Sequence, residues 1–195
     1  MEYLLTKQEN LMTLMEKSQF YMLNLFLRIG LKSFLWRKKK IPKTAILYRR
    51  VHFSLIFEDE ARGNKLMPNH GAFRDSEYEI SCDWDKYSTP QKSLNLISKE
   101  LKKNDNGAII FKNKDDFFIC KLLVEDIENK IPNQNVTHQP NLYYPSEIGK
   151  PNNRSHSVVI GIKDKQLDVK RRLQLATLSE WAIFDEDRYY RLKSK

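Results

Sequence analysis

A chain of 195 residues that is 41% hydrophobic and 11% aromatic is long enough to bury one core, with room for an appendage, and too apolar to be disordered throughout. Two cysteines, Cys82 and Cys120, exclude a disulfide scaffold, and neither sits at a metal-ligand spacing. The 34 basic residues outnumber the 25 acidic ones, which brings an anionic partner into view, but residues 1–44 alone hold nine Lys/Arg against three Glu. Two thirds of the net +9 therefore lies in under a quarter of the chain, and the remainder is close to neutral.

Residues 8–38 contain no proline and one glycine, Gly30, and predict a single helix. Leu11, Met15, Met22, Leu25, Phe26, Ile29 and Trp36 share one broad face, with Lys17, Asn24, Arg28 and Lys32 on the other. The apolar stretch from Phe20 to Trp36 argues against a membrane span, because Arg28 near its middle costs about 2.5–3.5 kcal/mol on insertion scales. A secretory signal fits poorly too, since the positive charge follows the apolar run. Arg37-Lys38-Lys39-Lys40-Ile41-Pro42-Lys43 closes the helix, its cations complementing the negative end of the helix dipole. Residues 1–44 thus read as an amphipathic appendage with a basic end.

Ala45–His52 predicts a strand, Glu58–Gly71 a polar loop, and Tyr78–Asp83 a second strand. Ser88-Thr89-Pro90 starts a helix running to Lys103, with Leu94, Ile97 and Leu101 inward. Ala108–Phe111 reads as a buried strand and Phe117–Ile131 suits a short helix slightly better than a strand. Residues 132–151, with four of the seven prolines, form a long loop, and His156–Ile162 is a strong strand. A last helix, capped by Asp164 or Asp168, runs through Trp181 with Val169, Leu173, Ala176 and Trp181 towards the core. The residues from Asp187 read as a charged, fraying tail. The order predicts a single small α+β domain over residues 45–187, with a mixed sheet and two to three helices, followed by a tail at 188–195.

The candidate chemistry centres on histidines at strand and loop ends: His52, His138 and His156. If His52 and His156 converge near Arg49 or Arg50, one imidazole is placed as base and the other as acid on a phosphate ester held by arginine. His52-Phe53-Ser54-Leu55 has the form of one half of a two-histidine phosphoesterase, but His156-Ser157-Val158-Val159 puts valine where the second hydroxyl belongs. The bland alternative is histidines that hydrogen-bond loop backbone. Asp83 and Asp85 flank Trp84 and read as strand-end acids rather than a cation site. There is no Gly-rich phosphate loop and no serine nucleophile elbow. No metal site and no cofactor is called for. Both cysteines read as buried packing residues. The basic clusters Arg37, Lys38, Lys39, Lys40, Lys43 and Lys170, Arg171, Arg172 are candidate anion-binding surfaces.

Leu47-Tyr48-Arg49-Arg50-Val51-His52, Phe73-Arg74-Asp75, Ile80-Ser81 and Val136-x-His138-x-Pro140 come first in a run of motifs. Asn153-Arg154-Ser155-His156-Ser157-Val158-Val159-x-Gly161, Arg172-Leu173 and Ser179-Glu180-Trp181 complete it. In this order they resemble a family of small uncharacterised bacterial proteins, over residues 46–184. The resemblance implies a domain boundary and marks Arg49, Arg50, His52, His138 and His156 as motif positions; it implies no activity. Phe53 stands where the pattern has proline, and residues 146–152 read as an insertion.

Three readings follow. The first is a non-enzymatic accessory protein, cytoplasmic, docking on a protein partner or larger assembly through residues 8–36, with peripheral membrane contact as a variant. The second is a histidine-dependent phosphoesterase or nuclease. The third is a nucleic-acid-binding protein using the basic clusters.

Overall fold

The computed structural model describes residues 39–74, 79–141, 149, 151–161 and 165–194. The predicted helix over 8–38, including Arg37 and Lys38, lies outside them. All described residues belong to the second of two units into which the chain divides, Lys39–Lys195.

Eleven strands and four α-helices are described: β1 Lys39–Lys40, β2 Ile46–His52, β3 Ile56–Asp59, β4 Lys65–Pro68, β5 Ile80–Trp84, α1 Pro90–Ile97, β6 Leu101–Lys103, β7 Ile109–Phe111, β8 Phe117–Leu123, α2 Val124–Lys130, β9 Asn135–His138, β10 His156–Ile160, α3 Lys165–Leu178, β11 Glu180–Ile183 and α4 Glu186–Lys193. Seven strands form one sheet in the order β1-β9-β10-β5-β2-β8-β11, and β3-β4 and β6-β7 are separate hairpins. The class is α+β as predicted, but every described pairing in the large sheet is antiparallel rather than mixed.

The register assigns the faces. Leu47 opposes Leu122 and Trp84, and Val51 opposes Phe118, so these residues point to one side with Cys82, Cys120 and Val159. That side is the main core, closed by Phe73, Leu175, Ala176 and Tyr189. The other side carries Tyr48, Arg50, His52, Ser81, Asp83 and His156, because Tyr48 opposes Asp83 and Asp83 opposes His156. Among the described residues, apolar cover on this second side comes where Leu94 and Ile97 of α1 pack on Ile119.

One irregularity shapes the candidate site. β2 pairs with β8 along all seven of its residues but with β5 only at Leu47↔Trp84 and Tyr48↔Asp83. Beyond Tyr48 the two strands part, and Arg49 fills the opening: its Nε donates to the Ala72 carbonyl at 2.8 Å and its Nη1 to the Ser81 carbonyl at 2.7 Å. The side chain thus supplies the donors that a continued ladder would have provided.

Several elements differ from the sequence expectation. Lys39 and Lys40 pair with His138 and Thr137 as an edge strand and Ile41 is fully buried, so the compact unit begins before residue 45. The polar loop at 58–71 is partly the β3-β4 hairpin, turned by Gly63 and Asn64 at φ 70° and 60°. α1 starts as predicted, with the Thr89 hydroxyl accepting from the Lys92 N–H and Pro90 in the first turn, but it stops at Ile97, and Leu101 enters a strand. β7 is exposed, not buried. The 117–131 segment is a central strand followed by a short helix. β9 lies within the long loop predicted at 132–151. α3 turns Asp168, Arg171, Leu175 and Ala176 inward, while Val169 and Leu173 are exposed; Trp181 belongs to a strand. The tail is α4, anchored by a Tyr189 that is 0% exposed.

Candidate functional site

At the β2-β5 fork the second face of the sheet opens into a cavity of about 470 Å³. Arg49, Arg50, Arg74 and Lys112 line it, as do Asp83 and Glu100, His52 and His156. Among the described residues, four cations against two carboxylates leave its wall net positive.

Asp83 organises the floor. It is 2% exposed, and Asn153 Nδ2 and Ser155 Oγ donate to its Oδ1 at 2.6 and 3.1 Å. On the other oxygen it receives Arg50 Nη2 at 3.0 Å and the Ser93 hydroxyl. Burial alone raises the pKa of such a carboxyl; the Arg50 charge and the bonds from Asn153, Ser93 and Arg50 overcome that and hold it below its ordinary value. Arg50 also pairs with Glu100, whose other oxygen holds Lys112 at 2.7 Å. The Asn153-Arg154-Ser155-His156 motif therefore clamps Asp83, and Asp83 fixes the guanidinium of Arg50 at the cavity wall.

The histidines are sorted by their partners. His156 Nδ1 lies 2.6 Å from the Gln139 carbonyl, which only accepts, so Nδ1 carries the proton and the neutral ring keeps a lone pair on Nε2. His52 is the reverse: the Ser54 N–H donates to its Nδ1 at 3.3 Å, leaving the proton of the neutral ring on Nε2. Burial lowers the His52 pKa, with Asp116 opposing and Lys102 reinforcing the shift.

Arg49, Arg50, His52 and His156 do line one cavity, and the last three stand on one face of the sheet. The two imidazoles nevertheless sit at its opposite ends. Two strand spacings separate β10 from β2, and His52 is four residues beyond the Tyr48–Asp83–His156 row. At about 4.8 Å per strand and about 3.3 Å per residue, their Cα atoms lie roughly 16 Å apart. A pair that jointly flanks one phosphate, the form suggested by the sequence, does not match this register.

His138 is not part of the site. It opposes Ser157, so it projects to the other face, where its Nε2 donates to the Arg154 carbonyl at 2.7 Å and its ring stacks on Tyr87. Burial lowers its pKa first of all. Its role is to hold the turn that carries Asn153 and Ser155.

Of the basic clusters, Lys39 and Lys40 are exposed on the edge strand, Lys40 lying 3.6 Å from Glu128, and Lys43 donates to Asn129. Lys170 is exposed. Arg171 is 2% exposed and paired with Asp168, and Arg172 pairs with the same carboxylate at 2.9 Å. Two of these three cations are thus turned onto the helix's own acid, and the Lys170–Arg172 cluster is not an open basic surface.

Asp83, Asn153, Ser155, Arg74, Lys112 and Glu100 are not among the residues that the sequence marks out as a site. Asn153, Ser155 and Arg74 fall inside the motifs that carry the resemblance, so a signal is there. Glu100 and Lys112 come together only through the β6-β7 hairpin, where the Lys112 N–H donates to the Glu100 carbonyl, and no spacing rule announces that.

Among the described residues no helix is long and apolar enough to cross a membrane, and no group of three or more His, Cys, Asp or Glu is placed to hold a metal ion. The fold and site define an α+β domain with a basic, histidine-lined cavity at a split in its sheet. No family model, curated protein or solved structure matches the chain.

Proposed function

We propose that the fork cavity binds a phosphate ester and that the protein hydrolyses it, with His156 as the proton acceptor. The observation that carries this reading is the Nδ1–H bond from His156 to the Gln139 carbonyl, which leaves a basic Nε2 on a side chain lining a net-positive cavity. Arg49, Arg74 and Lys112 supply charge for the phosphoryl oxygens, and Arg50 is preorganised by Asp83, so little reorganisation attends anion binding. In the step itself a water oxygen bonds to phosphorus while His156 Nε2 takes its proton. The bond from phosphorus to the ester oxygen breaks, and that oxygen takes a proton from solvent at the open mouth; the imidazolium then returns its proton to the hydroxide so formed. His52 serves as a hydrogen-bond donor at the far end.

The full chain should turn over bis(p-nitrophenyl) phosphate, and His156→Ala should lower that rate by about 10²–10⁴-fold. Lys170→Ala, at an exposed position on α3 outside the cavity lining, should retain it. A protein that neither binds nor turns over phosphate esters, or a His156→Ala variant as active as wild type, contradicts the reading.

A second reading, an accessory protein docking on a larger assembly through residues 8–36, is favoured by the segregation of charge into residues 1–44. It predicts that removing residues 1–38 abolishes partner capture while Lys39–Lys195, which encloses its own core, stays folded. Aggregation of the truncated domain contradicts it.

A further inference from the structure

Beside the fork cavity lies a second concavity of about 300 Å³, on the far side of the Asn153–Ser155 turn. Among the described residues its charged lining is Lys92, Lys99 and Arg154, with no carboxylate. Among the described residues none of the three has an acidic partner. Arg154 instead lies over the Tyr87 ring, 4.7 Å from its centroid. The cations come from separate places, one from α1, one from just beyond it and one from the turn, so their convergence is not the solvated face of a single helix. Asn153 is common to both concavities, its amide bonded to Asp83.

Resting on the phosphate-ester reading above, we infer that the substrate is a nucleic-acid strand, one phosphodiester seated in the fork cavity and a flanking phosphate carried across Asn153 into the Lys92/Lys99/Arg154 recess. Two basic concavities sharing a wall suit a chain with a repeating negative charge, whereas an isolated small phosphate ester has no use for the second. The recess is sunken, and the most exposed apolar side chains among the described residues, Ile109 and Phe111, lie on a separate hairpin. A flat anionic bilayer is therefore a poor match, and an extended phosphodiester backbone a good one.

The test uses the full chain, a fluorescein-labelled single-stranded 12-mer, and the triple variant Lys92→Ala/Lys99→Ala/Arg154→Ala. All three side chains are exposed, and the Arg154 carbonyl that holds His138 is unaffected by truncation. Fluorescence anisotropy should show strand affinity falling at least about tenfold in the variant. The slope of log affinity against log salt should become shallower by about 0.7 for each phosphate that the variant no longer neutralises. Turnover of bis(p-nitrophenyl) phosphate should be unchanged, and the Lys92→Arg/Lys99→Arg variant should bind like wild type. A triple variant that binds the strand as well as wild type overturns the inference, as does competition by anionic vesicles or polyglutamate at charge-matched concentrations. Strand binding that depends on the recess, in a protein without His156-dependent turnover, sinks the hydrolytic reading and leaves the recess as a nucleic-acid site.

Discussion

Asp83 is the residue on which the site depends. Asparagine at this position keeps the shape but removes the charge facing Arg50, whose side chain is only 19% exposed. Leaving a buried cation short of its partner costs about 3 kcal/mol, since Glu100 still compensates part of it. Urea unfolding of Asp83→Asn against wild type at pH 7 measures this, and a change under about 0.5 kcal/mol would show that the clamp is structurally idle. The same carboxyl sets acid sensitivity. Its folded pKa is depressed, so its stabilisation is complete above the unfolded carboxyl range and is lost as pH falls through about 4 and below. His52 and His138 are also lowered, so the unfolded chain takes up their protons first and stability should begin to decline below about pH 6.5. Urea midpoints from pH 8 to pH 3 should fall in those two stages. At the other extreme of reactivity, burial pushes the Cys120 thiol up to about 12, and Cys82 is buried too. Neither should react with iodoacetamide in the native protein; rapid native labelling of Cys120 would show that the core opens.

At the scale of elements, α3 and α4 separate what pattern reading captures from what it misses. The apolar residues of α3 place Leu173 inward, yet it is 51% exposed while Asp168 and Arg171 are buried as an ion pair. A hydrophobic count cannot see a charged pair that neutralises itself inside the fold. Leu173→Lys should therefore change stability by less than about 0.5 kcal/mol, whereas Leu175→Ala, at a fully buried position, should cost about 2–5 kcal/mol in the same unfolding assay. Helix α4 is hidden by its charge, since Tyr189 is its one buried residue. Strand β8 resembles a helix in sequence because a strand buried on both faces loses its alternation and becomes a continuous apolar run. By contrast β2, β5, β10 and the start of α1 are legible, because alternation and the Ser-Thr-Pro start are local signals. The site is half legible: the cavity's histidines stand out as strand-end residues and Arg49-Arg50 as a pair of arginines within a strand, but the opening between β2 and β5 that gathers them is a property of register, which no single segment encodes.

For the whole molecule, the near-neutral balance of residues 45–195 conceals a local excess: Asp168 takes up two cations of α3, while the described lining of the fork cavity holds four cations to two carboxylates and that of the adjoining recess three cations to none. The proposed function is thus tied to local excess of positive charge rather than to net charge. The most direct measurement is a long-range ¹H–¹⁵N spectrum of the histidine rings during titration with a phosphodiester. His156 should be protonated on Nδ1 in the free protein, and its Nε2 resonance should move on saturation while His138 stays put. A His156 proton on Nε2, or saturation that moves His138 and leaves His156 unchanged, would contradict it.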